Sequence, residues 1–106
     1  MNLECQELGD RTVVTVDADR LDAAIAEEFK ARIIGLAETG KRRIVLDLSA
    51  VGFIDSSGLG AVVGVYKFVE RRGSLELACP TPPVQKVFNL TRMNRVFVIH
   101  DSLPPS

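Results

Sequence analysis

Histidine occurs once in these 106 residues, at position 100, and cysteine only twice, at positions 5 and 79. A single imidazole near the C-terminus leaves a serine nucleophile without a base in reach, which a catalytic triad requires. His100 reads more simply as an exposed residue at a strand end. Two cysteines without a second pair do not make a zinc-ligand set. Each falls in an alternating apolar pattern and is expected as a buried thiol, not a redox or bridging group. Basic clusters are also missing. Arg42-Arg43 and Arg71-Arg72 are short pairs at expected element ends, the formal charge is −1, and no basic stripe suggests a nucleic-acid surface. No apolar run approaches the roughly 20 residues that span a bilayer, and Met1-Asn2-Leu3-Glu4-Cys5 lacks the regions of a signal peptide. The expectation is therefore a cytoplasmic protein that engages neither membrane nor nucleic acid.

What is present is ordinary for a globular domain: 46% hydrophobic and 25% charged residues. A chain of this size buries well over half of its unfolded surface, so no metal, cofactor or disulfide is needed to hold it. With no repeat, linker or low-complexity stretch, a single domain over 1–106 is expected, ordered over about residues 3–100.

Leu3 to Leu8 reads as a strand, Gly9-Asp10 as a type II′ hairpin turn, and Arg11 to Val16 as the returning strand. Asp22 to Thr39 has helical periodicity, with Ile25, Phe29, Ile33 and Leu36 as the apolar stripe, Asp22 as N-cap and Gly40 as stop. Glu28 and Arg32 are spaced to pair on its wet side. Ile44 to Leu48 has the near-continuous apolar character of an interior parallel strand. A second helix starts near Ser57, with Leu59, Val62, Val63, Tyr66 and Val69 as core stripe, and ends at Gly73. Leu75, Leu77 and Cys79 alternate along the next strand. Thr81-Pro82 opens a third helix with Val84, Val87 and Phe88 inward, Val96 to Ile99 forms a last strand, and Ser102 to Ser106 is expected to fray. The order β-β-α-β-α-β-α-β implies an α/β domain whose mixed sheet is mostly parallel, with an antiparallel N-terminal hairpin.

The most informative stretch is Phe53-Ile54-Asp55-Ser56-Ser57-Gly58-Leu59-Gly60. It brings a carboxylate and two hydroxyls to the first turn of the second helix, where unpaired backbone N–H groups and the macrodipole favour negative charge. A serine there is well placed to carry a phosphate. Farther along, Gly60, Gly64, Lys67 and Arg71 share one face, away from the expected core stripe. Two glycines inside a helix cost about 1 kcal/mol each relative to alanine. Either another element of the domain approaches closely there, or a partner protein docks. Ala61, Val65 and Phe68 lie on another side, against flanking helices or as an exposed apolar patch.

Enzymatic readings fit poorly. Around Ser57, Asp55 and Leu59 stand where a nucleophile elbow requires glycines. Gly58-Leu59-Gly60 is only a fragment of a phosphate-binding loop, because position 63 is valine and no P-loop lysine motif occurs. Asp17, Asp19 and Asp22 serve turns and caps, or form an acidic recognition surface.

Taken together, Leu21-Asp22-Ala23, Ile44-Val45-Leu46-Asp47-Leu48-Ser49, the Asp55-Ser56-Ser57-Gly58-Leu59-Gly60 run and Gly73 resemble the STAS family, and more narrowly bacterial anti-sigma factor antagonists. The resemblance spans roughly residues 3 to 100. It implies a single STAS-like domain with helices packed on one side of the sheet, and a binding protein, not an enzyme. It further implies partner switching: the unmodified form binds an anti-sigma factor with serine-kinase activity, phosphorylation of the second motif serine, Ser57, releases it, and a PP2C-type phosphatase acting on phospho-Ser57 resets the switch. Asp22, Asp55, Ser56, Ser57, Gly58, Gly60, Gly64 and Lys67 are the corresponding partner-binding candidates. The alternative is a STAS subunit that is not phosphorylated and accompanies a transporter or another signalling complex. The stand-alone length and the two serines favour the switch, and a monomer is expected when free. Two departures stand out: Asp19 occupies a position where the family usually has glycine, and a short, proline-containing C-terminus implies a reduced or absent last helix.

Overall fold

In the computed structural model, which describes residues 1–105, the chain opens with the expected hairpin. Strands β1 (Asn2–Leu8) and β2 (Arg11–Asp17) pair antiparallel, with Leu8 opposite Arg11 across the turn. Gly9 takes a positive φ of 65° while Asp10 does not, which is the type II′ pattern. A two-residue strand, β3 (Arg20–Leu21), then precedes helix α1 (Ala26–Glu38). Strand β4 (Arg43–Asp47) and the short β5 (Phe53–Ile54) lead into helix α2 (Ser56–Glu70). Strand β6 (Ser74–Ala78), helix α3 (Pro82–Leu90), a 3-10 turn (Met93–Arg95) and β7 (Ile99–His100) complete the chain. The main sheet runs β1-β2-β4-β6-β7, parallel except for the opening hairpin, and β3 and β5 form a separate parallel pair.

Strand alternation decides where the core sits. Val14, Val16, Ile44, Leu46, Leu75 and Leu77 face one way and join residues of all three α-helices in one buried cluster. Phe29 and Ile33 of α1, Val62, Val65 and Val69 of α2, and Val84 and Phe88 of α3 are fully covered there. Each such side chain contributes about 1.5–3 kcal/mol relative to exposure. Val13, Val45 and Ala78 form a smaller cluster on the opposite face. There Thr15 Oγ1 donates to Asp47 Oδ2 at 3.0 Å, and His100 Nε2 lies 2.7 Å from Glu76 Oε1. His100 is thus half-buried and paired at its strand end.

Several expectations change. Asp22 does not cap α1. Its carboxylate takes the Ala24 N–H and Arg20 Nε, and its carbonyl takes the amides of Ile25 and Ala26, so it closes a turn one step ahead of the helix. The core face of α2 is rotated: Gly58, Ala61, Val62, Val65 and Val69 are buried, whereas Leu59, Val63 and Tyr66 are only partly covered. Ala61 and Val65 are therefore core residues, and Phe68 packs at the core's margin under the Arg72 guanidinium. Cys5 is exposed on the edge strand β1, beside an open cavity that it shares with Arg32, Gly35 and Leu36 of α1, and Cys79 is half-buried just beyond β6. Thr81 has the extended N-cap backbone but donates its hydroxyl to the Val51 carbonyl at 2.6 Å. The last strand begins at Ile99 instead of Val96. Arg92 turns into the left-handed region, and Phe97 drops inward to make edge contacts with Tyr66 and Phe88. No helix follows β7 through Pro105, and Ser106, the end of the tail expected to fray, lies outside the described residues.

Candidate functional site

The start of α2 is held by three elements at once. Asp55 is the N-cap, and its Oδ1 accepts the Gly58 N–H at 2.8 Å. Its Oδ2 accepts the Ala23 N–H at 3.2 Å, tying the turn before α1 to the same carboxylate. The Asp55 amide in turn donates to the Leu21 carbonyl at 3.3 Å. The Gly58 N–H bond holds the Asp55 carboxyl below the usual carboxylate range, helped by the amides of Ala23 and Ser57 and by the Arg20 charge, against a smaller opposing effect of desolvation.

Gly58 makes this junction possible. A Cβ on it would lie 2.0 Å from the Leu21 carbonyl oxygen, so only glycine lets β3 lie this close to the helix. Gly58 is buried and shapes the site from beneath; it offers no surface of its own. Arg20 stacks on Phe53 at 4.3 Å from the ring centroid and bonds Asp22 through Nε at 3.2 Å. Phe53 remains 41% exposed, which leaves an aromatic edge beside the helix start.

On this frame Ser56 and Ser57 are both exposed in the first turn of α2. Ser57 faces α1 across a shallow cavity of about 270 Å³, lined also by Ala23, Ala26, Glu27, Lys30, Gly60 and Ala61. A hydroxyl there is open to solvent and has room for an added group. No cluster of three or more His, Cys, Asp or Glu residues suited to a metal ion occurs among the described residues.

The STAS domain family model matches residues 2–104. The chain belongs to the STAS domain family. It is 32% identical over 83 residues to BtrV of Bordetella bronchiseptica, a candidate anti-sigma factor antagonist, covering 77% of this chain and 72% of that one. The crystal structure of a candidate anti-sigma factor antagonist from Thermotoga maritima superposes with a TM-score of 0.83 at 29% identity, covering 95% of this chain and 87% of that one. A further relative, sulfate transporter 3.1 of Arabidopsis thaliana, is 38% identical over 66 residues, which is 62% of this chain but 10% of the transporter.

The STAS fold thus gathers most of the candidate residues at one end of the molecule. Asp22, Asp55, Ser56, Ser57 and Gly58 meet where β3, β5 and the first turn of α2 converge. Gly60, Gly64 and Lys67 continue along α2. No backbone crowds either of these two glycines: Gly60 opens to space, and Gly64 lies against the Lys30 side chain. Arg20 with its stacking on Phe53, and Lys30, are features of the site that the sequence does not signal. Arg20 and Phe53 belong to strands of only two residues, too short for any periodic signal, and Lys30 sits on a helix face whose neighbour depends on how α1 docks. No helix among the described residues is long and apolar enough to cross a membrane.

Proposed function

We propose that this STAS domain is an anti-sigma factor antagonist working by partner switching in the cytoplasm. The unmodified protein binds an anti-sigma factor with serine-kinase activity through the start of α2 and the Asp22 turn. Phosphorylation of Ser57 releases that partner, and a PP2C-type phosphatase restores binding. The observation that carries the reading is the exposed Ser57 hydroxyl on a rigidly held helix start, in a chain similar to anti-sigma factor antagonists.

The physics of the switch is asymmetric. Phosphate adds about −1.5 to −2 charges. At the N-terminus of α2 that charge is tolerated, by about 0.3–1 kcal/mol in its favour, so the fold survives. A packed interface over the same atoms is less forgiving, because bulk and like-charge contacts cost several kcal/mol there. Each 1.4 kcal/mol weakens binding about tenfold. The protein acts here as a binding partner and kinase substrate, and catalyses nothing itself.

Incubation with the cognate kinase and ATP, followed by mass spectrometry, tests this. One phosphate at Ser57, lost in Ser57→Ala, is expected; a phosphate mapped to another residue overturns it. The likeness to part of a sulfate transporter favours a second reading, an unphosphorylated STAS subunit. Co-purification from cells separates the two: a kinase-like anti-sigma factor supports the first, and a transporter component the second.

A further inference from the structure

Lys30 is half-buried on α1, yet it has neither a salt bridge nor a hydrogen-bond partner among the described residues. Every other cavity residue beside Ser57 is small or neutral except Glu27. The lysine stem runs across α2 at Gly64, where Cε and Nζ each come within 3.1 Å of the place a Cβ would occupy. One turn closer to Ser57, Gly60 leaves open space, with nothing within 4 Å of a Cβ position. The two costly glycines thus do different things. Gly64 lets the ammonium rest against the helix, and Gly60 keeps clear the path from there to the serine.

We infer that Lys30 is the counter-charge for the phosphoryl group on Ser57. This rests on the proposed modification of that serine. Ser57 and Gly64 are seven residues apart, about 10 Å along the axis, so the ammonium stands off from the unmodified hydroxyl. A phosphate reaches out from the serine into the shared cavity, and a lysine stem is flexible enough to swing toward it. The pair closes over Gly60. The phosphate then lies across the α1–α2 face instead of standing free, and modification covers the docking surface as well as charging it. Glu27 and Asp55 are the negative groups that oppose the pairing from α1 and from the N-cap, and Arg20 adds positive charge from β3.

Phosphoserine installed at position 57 during synthesis, without any kinase, allows a direct test by phosphorus NMR titration. A nearby ammonium favours the dianion and lowers the second phosphate pKa. Lys30→Met is expected to raise it by about 0.2–0.7 of a pH unit, the size that exposed ion pairs reach. Glu27→Gln is expected to lower it, and Lys86→Met, on α3, serves as the control. A Lys30→Met shift no larger than that of Lys86→Met overturns the inference. Because the phosphate is installed chemically, absence of Ser57 phosphorylation by the kinase would defeat the switching reading and leave this result standing on its own.

Discussion

Replacing Gly58 by alanine puts the junction at the start of α2 to a quantitative test. The added Cβ would stand 2.0 Å from the Leu21 carbonyl oxygen, 2.7 Å from its carbon and 3.0 Å from Ile54 Cγ1. Two of these atoms are backbone, so no change of rotamer relieves the clash. β3 or the helix start must move by about 1 Å or more, and overpacking of this kind costs about 1–3 kcal/mol. The shift also strains the bond from the Asp55 amide to the Leu21 carbonyl, worth about another 1 kcal/mol. Against this, alanine gains about 1 kcal/mol over glycine in a helix. The balance is a loss of about 1–3 kcal/mol, read as a fall in Tm of roughly 5–20 °C for a domain of this size. Gly60→Ala is the matched comparison. It has no neighbour within 4 Å and should stabilise by about 0.5–1 kcal/mol. Urea unfolding of both variants measures the two signs. A Gly58→Ala protein as stable as Gly60→Ala would refute the steric argument.

Two further outcomes can be checked on the purified protein. Asp55 has its carboxyl pKa depressed in the folded state, so its contribution is present above the unfolded value and lost as pH falls through the folded one. Stability measured against pH should therefore show an acid-side loss that is smaller in Asp55→Ala; parallel curves for the two proteins would contradict this. The exposed Cys5 should react with an aromatic disulfide reagent well before Cys79, whose thiol is pushed up by burial and by the Asp47 and Asp101 carboxylates. Cys5→Ser should remove the fast phase, and a fast phase that survives would reverse the assignment.

The hairpin, the three helices and the parallel order were legible because they rest on strong local signals. Gly9 supplies a positive φ, Phe29 and Ile33 recur at helical spacing, and Ile44 to Leu48 is apolar throughout. Errors fell where tertiary contacts outrank local pattern. The core face of α2 was read one position out, because Leu59 and Tyr66 are large and apolar while the buried Gly58 and Ala61 give almost no hydrophobic signal. Cys5 alternates correctly toward the helical side, but strand position cannot be read from alternation, and the edge leaves it open. The apolar run from Val96 gives up its first three residues to a bend and becomes a strand only at Ile99, because Phe97 is buried against Tyr66 and Phe88. At the site, the motif located Asp55, Ser56 and Ser57, but nothing in their spacing revealed that Asp55 also holds the Ala23 amide across 32 residues.

The proposed switch is measured most directly by calorimetry with an anti-sigma factor recovered by co-purification with the unmodified protein. Unmodified chain should bind, and the same chain carrying phosphoserine at 57 should bind at least about 100-fold more weakly, a loss near 3 kcal/mol. Equal affinities for the two forms would contradict the account at its centre.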